Sequence, residues 1–415
     1  MRRLLLALVL VAPLTLAGVA VSDLGHGART ILIINATWGP RPYAPDDLRR
    51  AVFQDSDAYV REVSFGEASL AGDSTPWLTI RPFEFCDVTA LSEMALAAEH
   101  AATAAGYDLT RYSRFVFGLP RGDRCQYAGY GADNHVWMLG TASNRVVQHE
   151  LGHTFALSHA WSVSCATCRP VEYADPYDVM GHGAGHYNAS EKALAGWLTN
   201  VTTARTNGQF VVDQLERKSD LPQAFYVQTA RTDYWFDHRE PIGRDEIFAR
   251  TKIVEGLEVH ASPGRADDGS SRYQPGNVLV ENPTGSGADV VLPGETWGEA
   301  GAFRVTVLAH DGTTMKLRFA WTDRTPPTRT EVYSPVGTVR SRLDVQWGRV
   351  EDDGSGVSRF DVRLDGKLRA RIDAASGQRR ASIPKPSRGR HVVTVAAVDR
   401  AGNRGKPGAT RFVVR

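Results

Sequence analysis

From Gln148 to His159 the chain reads QHELGHTFALSH, and this stretch limits what the chain can fold into more than any other. His149 and His153 are four residues apart. On a helix that spacing puts both imidazoles on one face, about one turn apart. Asn144 stands where such a helix would be capped. Two imidazoles so placed match two corners of a tetrahedral zinc ion, with Zn–N bonds near ~2.0–2.1 Å. Glu150 sits one step round the helix, in reach of a metal-bound water without being a ligand. A carboxylate there can take the proton of a water whose pKa zinc has brought down toward ~7.

A third ligand needs a change of direction. His159 lies six residues beyond His153. Along an unbroken helix that is ~9 Å of rise and a rotation off the ligand face. His159 therefore reaches the metal only if the helix stops and the chain folds back. Here the sequence resembles the metzincin peptidases, whose motif is HExxHxxGxxH with glycine at the turn. This chain has Ala156 at the glycine position. If that turn needs positive φ, alanine costs about 1 kcal/mol more than glycine. The rival third ligand is Glu172, nineteen residues after His153, roughly where thermolysin-like enzymes place a glutamate. Met180, in YADPYDVMGHG and twenty-one residues after His159, favours His159. It resembles the methionine that metzincins hold in a tight turn beneath the zinc.

With REVSFGEASL, YDLTRYSRFVFGLP and NASEKALAGWL in the same order, the match sharpens to the gametolysin family of metzincins. It covers roughly residues 29 to 200, and more weakly the segment to about 321. The resemblance implies an α+β catalytic domain, a mixed sheet with an active-site helix. It implies one zinc per chain, held by His149, His153 and His159, and Glu150 as general base. It also implies a protein substrate, extracellular or typically of cell walls. The peptide would lie as an extended strand along a sheet edge, supplied by His135–Met138 or by the QYAGY run before it. Some metzincins have a tyrosine two residues after the methionine. His182 stands there, as an oxyanion partner, a spare ligand or a solvated loop residue. Tyr177, Val179 and Gly181 are expected to wall the pocket, and Asp175 and Asp178 to shape the methionine turn.

The rest of the chain sets the context. At 415 residues it exceeds one ordinary core, so two or three domains are expected. With 42% apolar and 23% charged residues it has the balance of a folded protein, and a net charge of +1 offers no basic field for nucleic acid. Residues 1–20 read as a secretory signal peptide: Arg2 and Arg3, an apolar run to Leu16, then small residues. That run is shorter than the ~20 residues of a membrane span, so an exported, extracellular protein with no membrane span is expected. The interval between the expected cut and the first strand has no room for an inhibitory pro-segment, so activity soon after export, or restraint by something outside this chain, is expected. Cys86, Cys125, Cys165 and Cys168 allow three pairings. Neighbours in sequence close most easily, which favours Cys86–Cys125 and Cys165–Cys168, and export favours oxidation.

Residues 21–206 alternate strand and helix patterns, REVSFGEASL reads as a strand, and Asp87 is placed to cap a helix bearing Leu91, Met94, Ala95, Ala98 and Ala102. Residues 207–322 read as short strands between Gly, Pro and Asp turns, an all-β domain. TDRTPPTRT then breaks the pattern. Residues 323–415, with alternation at Leu343, Val345 and Trp347, at Phe360, Val362 and Leu364 and at Val393, Val395 and Ala397, and with Asp365-Gly366 as a hairpin turn signal, read as an immunoglobulin- or fibronectin-like sandwich. Its role is that of a spacer or of attachment to a surface or polymer. The competing reading of the whole is an inactive metzincin scaffold serving as an extracellular binding protein, favoured only by Ala156.

Overall fold

The apolar run RTILIINATW forms β1 (Gly27–Thr37), inside a sheet covered on both faces. Successive strand side chains point to opposite faces, and the residues divide accordingly. Ile31 and Ile33 join Val116, Val136, Met138, Val147 and Leu151 in one core. Leu32 and Ile34 join Phe115, Phe117, Trp137, Leu91 and Met94 in another. The structure, a computed structural model, describes residues 25–122, 124–164, 169–263, 277–280, 289–333 and 342–414. The leader at 1–20 and the pair Cys165 and Cys168 lie outside those residues.

After β1 come α1 (Pro45–Arg50), a π-helical stretch (Ala51–Ser56), α2 (Asp57–Val63), β2 (Ala68–Ser74), β3 (Leu78–Thr79) and α3 (Val88–Ala104). Then follow β4 (Arg114–Leu119), β5 (Gly129–Ala132), β6 (His135–Leu139) and α4 (Asn144–Thr154). The strand order is β2-β1-β4-β6-β5, with β3 pairing beside β1. All pair in parallel except β5, which runs antiparallel to β6. Asp87 caps α3 by accepting the backbone N–H of Ala90. Cys86 and Cys125 form a disulfide across Cα atoms 5.4 Å apart, joining the entry of α3 to the loop before β5.

Three local expectations shift. REVSFGEASL begins as helix, because Tyr59, Val60 and Val63 are buried at helical spacing, and it becomes strand only from Ala68 after a positive-φ turn at Phe65 and Gly66. His135–Met138 is an interior strand, paired on both sides by β4 and β5, so it offers no edge; the edge is β5, which begins within QYAGY. Helix α4 is preceded by Ser143 at the N-cap rather than Asn144, a one-residue difference within the usual fraying of a helix end.

The chain continues through β7 (Trp161–Ser164), β8 (Arg169–Val171), α5 (Ala189–Leu194), β9 (Val201–Thr203), β10 (Gly208–Asp213), β11 (Ala224–Gln228) and β12 (Thr232–His238). β13 (Leu257–Pro263), β14 (Val278–Val280), β15 (Thr296–Trp297), β16 (Phe303–Asp311) and β17 (Thr314–Trp321) complete this part. A seven-stranded sheet runs β8-β7-β14-β13-β12-β11-β9 and a four-stranded one β10-β17-β16-β15. Phe225, Phe236 and Val259 of the first pack with Phe303, Leu317 and Phe319 of the second. The seven-stranded sheet takes strands from both sides of residue 206. The boundary expected there therefore falls inside one compact unit, which spans Asp23–Thr325 and includes Asp353–Gly356. Such pairing joins strands distant in sequence and leaves no mark on local periodicity.

The other unit takes Pro326–Asp352 and Val357–Arg415. Two sheets, one of three strands and one of four, share a core of Leu343, Val345, Trp347, Phe360, Val362, Val393 and Val395. These are the residues whose alternation marks the sandwich in the sequence. Asp365 and Gly366 take positive φ, 49° and 81°, in the hairpin the dipeptide signals. Among the described residues no helix is long and apolar enough to cross a membrane.

Candidate metal centre

Helix α4 ends at Thr154, one residue past His153. The amide of Ala156 donates to His153 O and that of Leu157 to Gly152 O, closing the helix in a tight turn. Ala156 sits at φ 64°, the left-handed conformation that glycine takes without strain. The turn reverses the chain and brings His159 back beside the helix. The nearest ring nitrogens of His149, His153 and His159 all lie within 4.8 Å of one another.

Each imidazole is oriented from behind. His149 donates from Nδ1 to Val179 O at 2.8 Å, and His153 from Nδ1 to Leu157 O at 2.9 Å. His159 donates from Nδ1 to Glu172 Oε1 at 2.6 Å. A carbonyl or carboxylate oxygen only accepts, so the proton of each neutral ring is on Nδ1 and the lone pair on Nε2. The Nε2 atoms of His153 and His159 then face each other at 3.1 Å, two acceptors with no proton between them. A cation resolves that repulsion. The spacing is close to the ~3.3 Å edge of a tetrahedron built on Zn–N bonds of ~2.0–2.1 Å. The donor set thus fits a zinc ion. Burial lowers His149 to about 3 and His153 to about 4, the backbone acceptors opposing, so both stay neutral and available as ligands. Glu172, weighed as a rival ligand, takes the orienting position behind His159 instead.

Glu150 is on the same helix and buried. Burial raises its carboxyl to about 8, with Arg145 pulling the other way; a nearby divalent cation would add to the Arg145 effect and favour the carboxylate. β5 passes directly over this residue. A β-carbon at Gly129 would lie 2.7 Å from Glu150 Cγ and Oε1, and one at Gly131 would meet Glu150 O. The GYG run therefore lets the edge strand press against the helix that carries Glu150 and the two ligand-type histidines.

Beneath the cluster, Met180 is buried against α4, and a β-carbon on Gly152 would strike its Sδ. The turn holding Met180 is built by aspartates. Asp178 Oδ1 accepts the Met180 amide at 2.7 Å, and Asp175 Oδ1 accepts those of Tyr177 and Asp178 at 2.9 and 3.2 Å. Arg145 reaches from α4 to Gly181 O and Gly183 O, tying the turn to the helix. Of the expected pocket residues, Tyr177 donates its hydroxyl to Asp289 and packs on Phe248, so it is engaged away from the cluster. Val179 is buried in the core, and Gly181 abuts Asp175. His182 is exposed and donates from Nδ1 to Tyr173 O. Tyr173 itself lies against the site, its ring 4.0 Å from that of His159. Neither Tyr173 nor Arg145 has a distinguishing pattern in the sequence; the two glycines of GYG flanking a tyrosine were the signal available for β5.

An α/β layer thus presents three convergent imidazoles and a buried carboxylate, a set of side chains able to hold a single metal ion. Residues 58–234 match the gametolysin peptidase M11 family, which bears out the resemblance in the motifs. The match crosses residue 206, as the seven-stranded sheet does. No curated protein matches the chain. Among solved structures, fibronectin(III)-like modules of Clostridium thermocellum CbhA are 20% identical over 21% of this chain and 96% of theirs, at a TM-score of 0.19. The Clostridium perfringens spore cortex lytic enzyme SleM is 10% identical over 28% of this chain and 40% of its own, at 0.21. The Endo-D glycoside hydrolase domain of Streptococcus pneumoniae R6 is 11% identical over 92% and 81%, at 0.21. Likenesses this weak carry no weight for fold or activity here.

Proposed function

We propose that this protein is an exported zinc endopeptidase of the metzincin kind. The observation that carries the reading is the fold-back at Ala156, which sets His159 beside His153 with two Nε2 lone pairs face to face. His149, His153 and His159 hold one zinc ion. When bound, that ion supplies Lewis acidity, polarising the scissile carbonyl and acidifying the attacking water. Glu150 takes the proton of that water and returns it to the leaving amine. The substrate is a protein segment, extracellular or of a cell wall, that lies extended against the edge strand β5 and pairs with its backbone. Val179 and Leu157 carbonyls and Glu172 keep the ligand rings turned inward, and Met180 floors the site.

Export rests on the N-terminal sequence and is in keeping with the Cys86–Cys125 disulfide. The C-terminal sandwich serves as a spacer that gives the catalytic unit reach. Ala156, the one departure that favoured an inactive scaffold, adopts the backbone conformation the motif glycine would take. The test is casein hydrolysis by the protein lacking residues 1–20. Cleavage should stop when zinc is removed by a chelator and return when zinc is restored. Cleavage that persists in chelator would sink the reading.

A further inference from the structure

A second group of metal-type side chains lies in the β-rich part of the same unit. We infer that His238, Glu240 and His310 bind a second divalent cation, of the zinc class, that serves structure rather than catalysis. The three ligand atoms fall within 4.8 Å of one another. His238 ends β12 in the seven-stranded sheet, Glu240 follows two residues on, and His310 is near the end of β16 in the four-stranded sheet.

The argument rests on where the lone pairs point. His238 is fully buried, with Nδ1 3.0 Å from Gly256 O and Nε2 2.9 Å from Glu240 Oε1. A neutral imidazole donates from one nitrogen and accepts at the other. The Gly256 carbonyl claims the Nδ1 proton, so Nε2 turns a lone pair toward a carboxylate oxygen. Either a metal ion or a second ring proton must fill that contact. His310 Nε2 approaches the same oxygen at 2.9 Å. His238 is set as His149 and His153 are, with a backbone carbonyl behind Nδ1 and Nε2 facing inward, and its ring lies 4.7 Å from that of His310, against 5.0 Å between His149 and His153. Orientation of a ligand imidazole by a carbonyl on its far nitrogen is usual at metal sites. Two imidazoles and one carboxylate are a zinc-type donor set.

Access and anchoring also fit. The side chains of Glu240 and His310 are 16% and 28% exposed, so an ion can enter from solvent while His238 forms the floor. The Glu240 amide donates to Glu216 Oε2 at 3.1 Å, holding the chain just past β12 in place. An ion here would join the ends of the two sheets whose inner faces make the shared core. This inference is independent of the peptidase reading, since none of its residues belongs to the first cluster.

The test is zinc content of the full chain after dialysis against micromolar zinc, wild type beside His310→Gln and His310→Ala. Glutamine keeps bulk and a donor for Glu240 but cannot serve as an imidazole ligand. Each variant should hold one equivalent fewer than wild type, two falling to one, with casein hydrolysis within twofold of wild type. If the first cluster binds no zinc, the same comparison should read one falling to zero, which separates failure of the peptidase reading from failure of this one. A folded His310→Gln protein, judged by circular dichroism, that holds as much zinc as wild type would mean that a proton rather than a metal bridges His238 and Glu240. That result overturns the inference.

Discussion

Two buried histidines, His149 and His260, touch the loop that carries Met180, and they are prepared for opposite ends. His149 meets the loop through Val179 O, while His260 meets it through Asp175 Oδ2 at 3.1 Å. Burial depresses both rings. At His149 the partner is a neutral carbonyl, and the ring falls to about 3. At His260 burial is outweighed by Asp175, Asp237 and Glu258, and the ring rises to about 10. One histidine therefore keeps a lone pair for a cation, and the other is itself the cation. Burial is common to His149 and His260; what separates them is the charge of the groups around each ring. His260 belongs to a wholly buried seam in which Arg239 pairs with Glu258 at 2.7 Å and Asp245 at 2.9 Å. That seam fixes the β-rich sheet against the methionine turn, so the neutral site stands on a charged foundation.

The contrast can be broken at several points. The largest expected effect is on the seam. Arg239→Met leaves Glu258 and Asp245 buried without their cation and should destabilise the fold by about 3–5 kcal/mol, read by denaturant unfolding. Loss of less than about 1 kcal/mol would mean that the seam is held by protons and not by ion pairs. The seam should also titrate. The folded pKa of His260 lies above the ordinary value near ~6.5, so its stabilisation is complete below that pH and disappears as pH climbs toward about 10. His260→Gln should flatten that alkaline decline; an unchanged slope would contradict the assignment of a buried imidazolium.

At the neutral site the effects are smaller. Glu172→Gln keeps a hydrogen-bond acceptor for His159 Nδ1 but removes its charge, and should weaken zinc affinity by roughly 10–100-fold in competition with a chromogenic chelator. Complete loss of zinc would return Glu172 to the role of ligand. Smallest is Ala156→Gly, which relieves the left-handed alanine and should stabilise the protein by roughly 0.5–1 kcal/mol in thermal unfolding with activity unchanged. A destabilised variant would mean that alanine is fitted to that turn by packing.

These two regions also differ in how far they can be read from sequence. Helical geometry dictates the pairing of His149 with His153, but spacing alone leaves His159 and Glu172 open as the third ligand, and the metzincin resemblance with Met180 favours His159. The sandwich core of Leu343, Val345 and Trp347 is legible through period-two alternation. The seam is not. Asp237 and Glu258 are cross-strand partners, and Asp175 joins them from a distant loop. Nothing in the strand patterns of FDHRE or GLEVH says which charges will meet. The edge strand was half legible: QYAGY contains its start, but the reason for its glycines, the closeness of Glu150, appears only when β5 is laid over α4.

The most direct test sets wild type beside Glu150→Ala, measuring bound zinc and casein hydrolysis in both. Both proteins should hold the same zinc, because Glu150 orients none of the three imidazoles. Hydrolysis by the variant should fall by about 10²–10⁴-fold, the usual contribution of a general base. A variant that cleaves as fast as wild type, or a wild type that carries no zinc, would contradict the account at its centre.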